Sequence, residues 1–187
     1  VNLESKADIL ANLWASGGQN YAERWASSTE TGIDQPMSLL VNAQINLLEE
    51  VTRTKIGEPF GKFGGGIQPD ALEAPYASYS LELIEANVAS LRAVFEGPSG
   101  EGGIDLALDA LEAQYNDQAL SAAISDGLTN VEQAVAAING PLQDALTDEA
   151  AAVEALYDTC KDLLVLYKSD MASALSITVV ISDSDGD

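Results

Sequence analysis

Residues 73–97 read EAPYASYSLELIEANVASLRAVFEG, and this stretch decides the fold class. Its large apolar residues recur at alternating spacings of three and four, at Leu81, Ile84, Val88, Leu91 and Phe95. This period is typical of an α-helix with one apolar stripe, so the stretch predicts a helix that packs against other helices. At about 100° per residue, Arg92 falls beside the stripe rather than opposite it, and we expect its guanidinium to have a partner there.

Similar apolar stripes mark helices on both sides of this stretch. They cover residues 2–15, 36–55, 104–115, 117–139 and 147–175, with a short aromatic segment at 19–27. Thr147 is expected to cap the longest helix, and Leu3, Leu10, Leu13 and Trp14 are expected to face inward. The pattern predicts an all-α, up-and-down bundle of five to six helices with a short extended C-terminal tail.

Length and charge limit the classes of protein that remain. The 187 residues suit one domain over residues 1–187. With 30 acidic and 8 basic residues the net charge is −22, which repels phosphates, so nucleic acid and anionic lipid are excluded as partners. No apolar run approaches the roughly 20 residues of a membrane span. No charged-then-apolar leader begins the chain, so we expect an export signal to have been removed or never present.

Three polar segments contain residues of the kinds that bind phosphates or cations. The glycine-rich loop at residues 58–70 lacks the pattern and the flanking strand of a phosphate-binding loop. Asp105, Asp109 and Glu112 share one helix face, which predicts a solvated surface rather than a cation site. The β-branched residues at 177–181 favour an extended tail. After them, Asp183, Asp185 and Asp187 resemble the start of a calcium loop in the wrong phase, which predicts weak binding of a divalent cation.

The chain contains no histidine, and this restricts its chemistry. Catalysis by Ser-His-Asp or Cys-His arrangements is excluded within this chain, as are histidine-bearing zinc motifs. The single cysteine, Cys160, cannot form an internal disulfide or a thiolate zinc site and is expected to be a small core residue. Paired carboxylates remain open for glycoside hydrolysis, although no spacing singles out a pair. The inventory favours a binding or structural role over an enzymatic one.

Five segments, taken in order, carry a family resemblance. Residues 17–21 (GGQNY) resemble a GGxY turn, and residues 57–60 (GEPF) resemble a GxPL segment with Phe in place of Leu. Residues 73–80 resemble ESPYSxNS, residues 87–97 resemble NxxxLRxxYxG, and residues 174–187 resemble a closing ALGVT…DxDGD. In this order they are similar to the C-terminal half of the imelysin-like proteins. That family consists of exported bacterial helical proteins that are classed among the metallopeptidases and associated with iron uptake.

The resemblance implies a family architecture of two helical bundles, of which this chain is similar to the second. The family motif GxHxxE belongs to the first half and has no counterpart here, so no peptidase or iron site is carried over by residue. We expect another chain, or the family's histidine-bearing N-terminal half, to complete any site. The residues that would support such a site are Tyr76, Ser78, Asn87 and Arg92. The alternative is that they cap and staple the turn before the central helix.

These considerations lead to a functional hypothesis. The resemblance implies an exported, non-catalytic module in the periplasm or at the cell surface of a bacterium, which acts in the uptake of iron or another cation or in partner binding. Iron or calcium would be bound weakly, or through the missing half. The alternative is a structural or assembly protein that forms homo-oligomers through its C-terminal tail and glycine-rich loop.

Overall fold

The computed structural model describes residues 2–28 and 32–180. The predicted all-α class is confirmed, because nearly all regular structure in these ranges is helical. No helix there is long and apolar enough to cross a membrane. The chain divides into two compact units, Val1–Val41 and Asn42–Asp187, which are described separately below. A single domain over residues 1–187 remains a prediction.

The first unit contains helices α1, Leu3–Trp14, and α2, Tyr21–Ala26. Asn2 caps α1, because its side-chain oxygen accepts the backbone N–H of Ser5 at 2.8 Å. The Trp14 ring packs edge-on against the Tyr21 ring, with 5.4 Å between centroids. The predicted inward orientation is wrong for three of the four α1 side chains, because only Leu13 among them is half-buried and the other three are exposed. None of them is buried, and Leu3 is 86% exposed, because this small unit offers α1 no apolar surface of matching size.

The second unit holds the main core. Most of helix α3, Pro36–Glu50, belongs to this unit, and the helix continues as a π-helical segment, Val51–Gly57. The other helices of the unit are α4, Ser80–Phe95; α5, Ile104–Ala110; α6, Leu120–Ala136; α7, Leu142–Asp148; and α8, Ala150–Val165. A second π-helical segment, Leu166–Met171, and a last short helix, α9, Ala172–Ala174, follow α8. Helix α6 packs against both α4 and α8, and α8 also packs against α7 and Val51–Gly57. Helices α6 and α8 therefore form the centre of the bundle.

The stripe of residues 73–97 forms as predicted. Ile84, Val88, Leu91 and Phe95 are buried on α4, while Leu81 is half-buried. The helix begins only at Ser80, whose hydroxyl accepts the backbone N–H of Ala74 at 3.1 Å. This side-chain bond holds the preceding turn against the first turn of α4.

Two predicted helix boundaries are wrong. Helix α5 ends at Ala110 instead of continuing to Tyr115, because β1, Gln114–Tyr115, pairs antiparallel with β2, Gln118–Ala119. Glu112 and Asn116 have φ angles of 51° and 52°, which a helix cannot contain. Thr147 lies inside α7 and does not cap α8, which begins at Ala150 after Glu149.

Residues 177–180 are not helical, as their β-branched side chains predicted. Ser176 has a φ of 55° and ends the helical path, and Ile177 is buried. The side-chain amide of Asn42 donates to the carbonyl of Thr178 at 3.1 Å and accepts the N–H of Val180 at 2.7 Å. One amide that bonds to both residues flanking Val179 mimics the edge of a β-strand. Helix α3 thus holds residues 178–180 in place.

Candidate functional site

A polar cluster centred on Arg92 joins α4 to α6. The guanidinium donates from Nε to one oxygen of Glu132 at 2.7 Å and from a terminal nitrogen to the other oxygen at 3.0 Å. Its other terminal nitrogen donates to Glu96 at 2.6 Å, and a further bond reaches the Thr129 hydroxyl at 3.0 Å. The Ser125 hydroxyl donates to the same Glu96 oxygen at 2.7 Å. This bidentate geometry is the strongest that arginine makes with a carboxylate.

The electrostatics of the cluster agree with a structural role for Arg92. The hydrogen bond with Glu132, together with the charges of Glu132 and Glu96, raises the pKa of the Arg92 guanidinium against the opposing effect of burial. Its side chain is 25% exposed. Because Glu96, Glu132 and Thr129 already occupy its donors, Arg92 fixes the α4–α6 pair, as expected of an arginine at the edge of a packed face.

A buried tyrosine lies close to this cluster. Tyr167 is fully buried, its ring centroid lies 6.1 Å from that of Phe95, and its hydroxyl has no hydrogen-bond partner among the described residues. Burial raises the pKa of the Tyr167 phenol, and the charges of Arg92 and Glu96 act on it in opposite directions. A buried hydroxyl of this kind is ordinarily satisfied by an internal water molecule.

A groove of about 610 Å³ opens between α4 and α6 and reaches the start of α7. Its floor is apolar and its rim is acidic. The floor contains Val88, Val135 and Ile138, and the rim contains Ser78, Glu82, Glu85 and Glu132. Among the described residues, no lysine or arginine lines the groove. Glu82 and Glu85 are exposed and form neither an ion pair nor a hydrogen bond within the part of the chain that the structure describes.

The four residues predicted to support a site are only partly brought together. Ser78, with a φ of 52°, lines the groove, and Arg92 binds the groove residue Glu132. Tyr76 is 96% exposed, so it staples no turn within the part of the chain that the structure describes. Asn87 is half-buried, and its amide nitrogen is buried without a partner among residues 2–28 and 32–180. Neither Tyr76 nor Asn87 lines the groove.

The glycine-rich loop is anchored by a cluster that the sequence did not reveal. Lys62 forms an ion pair with Glu154, and its ammonium lies 4.8 Å from the centre of the Tyr157 ring. Gly57 faces the same aromatic ring, because a Cβ at this position would lie 3.0 Å from Tyr157 and 2.8 Å from Phe63. Gly57 therefore allows close approach as well as ending the helix. In the sequence, the glycine that begins the GEPF segment, Gly57, was the feature that could have indicated this close contact.

The predicted metal ligands Asp183, Asp185 and Asp187 lie outside the described residues. Within the described ranges, no group of three or more His, Cys, Asp or Glu side chains could hold a metal ion. Asp105 accepts the backbone N–H of Gly103 at 2.6 Å, and Asp109 accepts the hydroxyl of Ser121 at 2.5 Å. These two carboxylates thus have local structural partners. The predicted helix face with three carboxylates is wrong for Glu112, which lies beyond the end of α5 and has a positive φ angle.

Cys160 is also placed as the sequence predicts. It is fully buried on α8, and burial raises the pKa of its thiol to about 12. A thiol that stays protonated at neutral pH neither attacks an electrophile nor binds a metal readily. The chemistry available on the described surface is therefore that of carboxylates beside apolar side chains, which suits the binding of cations.

Comparisons with known proteins agree with the resemblance. The imelysin family model matches residues 2–167. The fold is similar to that of an imelysin peptidase from Bacteroides ovatus, with a TM-score of 0.73 and 21% identity. That match covers 93% of this chain but 51% of the other, so this chain spans about half the length of its structural relative. No curated protein matches the sequence significantly. Since the family model covers most of its length, the chain belongs to the imelysin family.

Proposed function

We propose that this chain is a non-catalytic helical module of an imelysin-type protein, which acts outside the cytoplasm by binding a cation or a partner protein. In this proposal, iron or another cation is held with the help of a histidine-bearing half or a separate chain. The periplasm or the bacterial cell surface is the proposed location, in keeping with the family and with the strongly acidic composition.

One observation carries the proposal. Nearly all of this chain aligns with only 51% of the related peptidase, while the chain contains no histidine. Transition metals are usually held by imidazole or thiolate ligands, and the single thiol is buried with a raised pKa. A module with this inventory supplies a scaffold and carboxylates, and other residues would have to supply the nitrogen ligands.

Metal titration tests the proposal. We expect calorimetric titration of the chain with Zn²⁺ or Fe²⁺ to show only weak binding without a defined stoichiometry. The matched control replaces Asp183, Asp185 and Asp187 with Asn, which should remove most of that weak binding. A tight one-to-one complex that persists in this triple variant would contradict the scaffold proposal.

A second candidate function, assembly into homo-oligomers, is favoured by exposed apolar side chains in the glycine-rich loop. Phe63 is 54% exposed and Ile67 is also exposed. In this alternative, the loop and the C-terminal tail contact a neighbouring copy. Light scattering should then show an oligomer that dissociates when both residues are changed to Ser or when residues 181–187 are deleted. A monomeric parent chain would rule out this alternative.

A further inference from the structure

We propose that the α4–α6 groove binds a basic amphipathic helix of a partner protein. This inference rests on the proposed function, because it assigns the partner-binding role to a specific surface. The groove combines an apolar floor, Val88, Val135 and Ile138, with a rim of three glutamates. Such a surface is complementary to a helix that presents leucine-like side chains on one face and lysine or arginine at its edges.

The charge of the rim selects the sign of the partner. Glu132 is already neutralised by Arg92 through two hydrogen bonds. Glu82 and Glu85, in contrast, have no partner among the described residues, and they lie three positions apart on the same wall of α4. Two uncompensated carboxylates beside an apolar floor attract a cationic side chain with an aliphatic stem.

The dimensions of the groove favour a helix over an extended strand. Residues 81–89 of α4 form one wall, which corresponds to about 12 Å, or two helical turns, along the groove. Each wall also carries one small exposed side chain, Ala89 on α4 and Ala136 on α6, which lets a partner backbone approach closely. Neither helix has an unpaired sheet edge to offer a strand, whereas two turns of a partner helix place two or three apolar side chains on the floor.

A peptide titration tests the inference. The probe is a fluorescent helical peptide of about 14 residues that carries leucine on one face and lysine on the other. We expect saturable binding in fluorescence anisotropy. Ala89→Trp on α4, which fills the groove, should weaken binding by more than about tenfold, whereas Ala122→Trp, at an exposed position of α6 outside the groove, should not. Circular dichroism checks that both variants stay helical.

A matched charge pair separates the groove from the general acidity of the surface. Replacing Glu82 and Glu85 with Gln should weaken binding about tenfold, while the same change at the exposed Glu101 and Glu112 should have little effect. Equal losses in the two double variants, or unchanged binding by Ala89→Trp, would overturn the inference. Full displacement of the peptide by spermine would assign the groove to a small polyamine, and a dimer that Ala89→Trp dissolves would assign it to a second copy. Either result contradicts the proposal.

The outcomes remain distinct from those of the metal titration. Absence of peptide binding, combined with weak metal binding, removes the groove assignment and leaves the scaffold proposal in place. A tight one-to-one metal complex that persists in the triple variant removes the scaffold proposal, whatever the result of the peptide titration.

Discussion

The two faces of α6 are held in different ways. On the α8 side the contact is apolar and closely packed, since a Cβ at Gly127 would lie 2.9 Å from Leu163. On the α4 side, the directional hydrogen bonds of the Arg92 cluster join the C-terminal part of α4 to α6. Beyond that cluster, the N-terminal part of α4 leaves the groove open. The α6–α8 contact is thus apolar and close at Gly127, whereas the α4–α6 pair is joined by the Arg92 cluster at one end and leaves the groove at the other.

The first way to break this comparison is to remove an apolar contact on the α8 side. Leu163→Ala should lower the free energy of unfolding by about 2–5 kcal/mol, because Leu163 is fully buried and its loss leaves a cavity. Urea denaturation followed by circular dichroism measures the change. Val165→Ala, at an exposed position of the same helix, should cost less than about 0.5 kcal/mol. Equal losses would contradict the assignment of this face to the core.

The second change removes the polar contact. Arg92→Met should cost about 1–2 kcal/mol, because it leaves Glu132 and Glu96 without their cation at a site that solvent screens in part. Arg92→Lys keeps the charge but loses the bidentate fork, so it should recover about half of that loss. The exposed Lys161→Met serves as the control. If Arg92→Met were as harmless as the control, the cluster would not hold α4 to α6.

The third prediction concerns the pH dependence of stability that the buried thiol of Cys160 on α8 produces. Burial raises the pKa of Cys160 from 9.0 to about 12, so above pH 9 the unfolded chain loses a proton that the folded chain keeps. This contribution to stability is therefore full below pH 9 and falls by about 1.4 kcal/mol per pH unit above it. Denaturation at pH about 9 and 10 measures the slope. Cys160→Ala should flatten it, and an unchanged slope would contradict a buried thiol.

The smallest expected effect concerns one hydrogen bond of the cluster. Ser125→Ala removes the hydroxyl that donates to Glu96 and should cost about 0.5–1 kcal/mol. Ser90→Ala, at an exposed position on α4, is the matched control and should be nearly neutral. In the Arg92→Met background the effect of Ser125→Ala should change, because both residues bind the same carboxylate. Strict additivity of the two changes would indicate that they do not form one cluster.

The sequence was sufficient for the helices but not for the partners across them. The spacing of Ile84, Val88, Leu91 and Phe95 placed the buried face of α4 correctly, and the position of Arg92 required an acceptor. The sequence pattern could not identify that acceptor as Glu132. This residue lies 40 positions away on α6, where several other polar residues occupy similar positions. Register between helices depends on tertiary packing, which a single sequence does not encode locally.

The groove and the hairpin were missed for related reasons. The groove is a space left between small residues on two helices, and an exposed alanine gives the same signal whether or not a cavity lies beside it. The hairpin at residues 114–119 depends on positive φ angles at Glu112 and Asn116, and the apolar spacing of the preceding residues continued to favour a helix. Weak binding of a divalent cation by the acidic residues at 183–187 stays a prediction.

The two π-helical segments have a consequence for how the long helices could be re-engineered. Each π-helical segment contains a wide turn, which has about one residue more than an α-helical turn. The residues after a wide turn are therefore rotated by about 100° relative to an uninterrupted α-helix. The segment Val51–Gly57, which contains one such wide turn, ends at Gly57, and Gly57 faces the Tyr157 ring. Deleting a single residue from that turn would restore ordinary winding and point position 57 elsewhere. A one-residue change of length in α3 before the wide turn would likewise rotate its buried side chains, Val41, Ile45 and Leu48, by about 100° relative to the residues that follow.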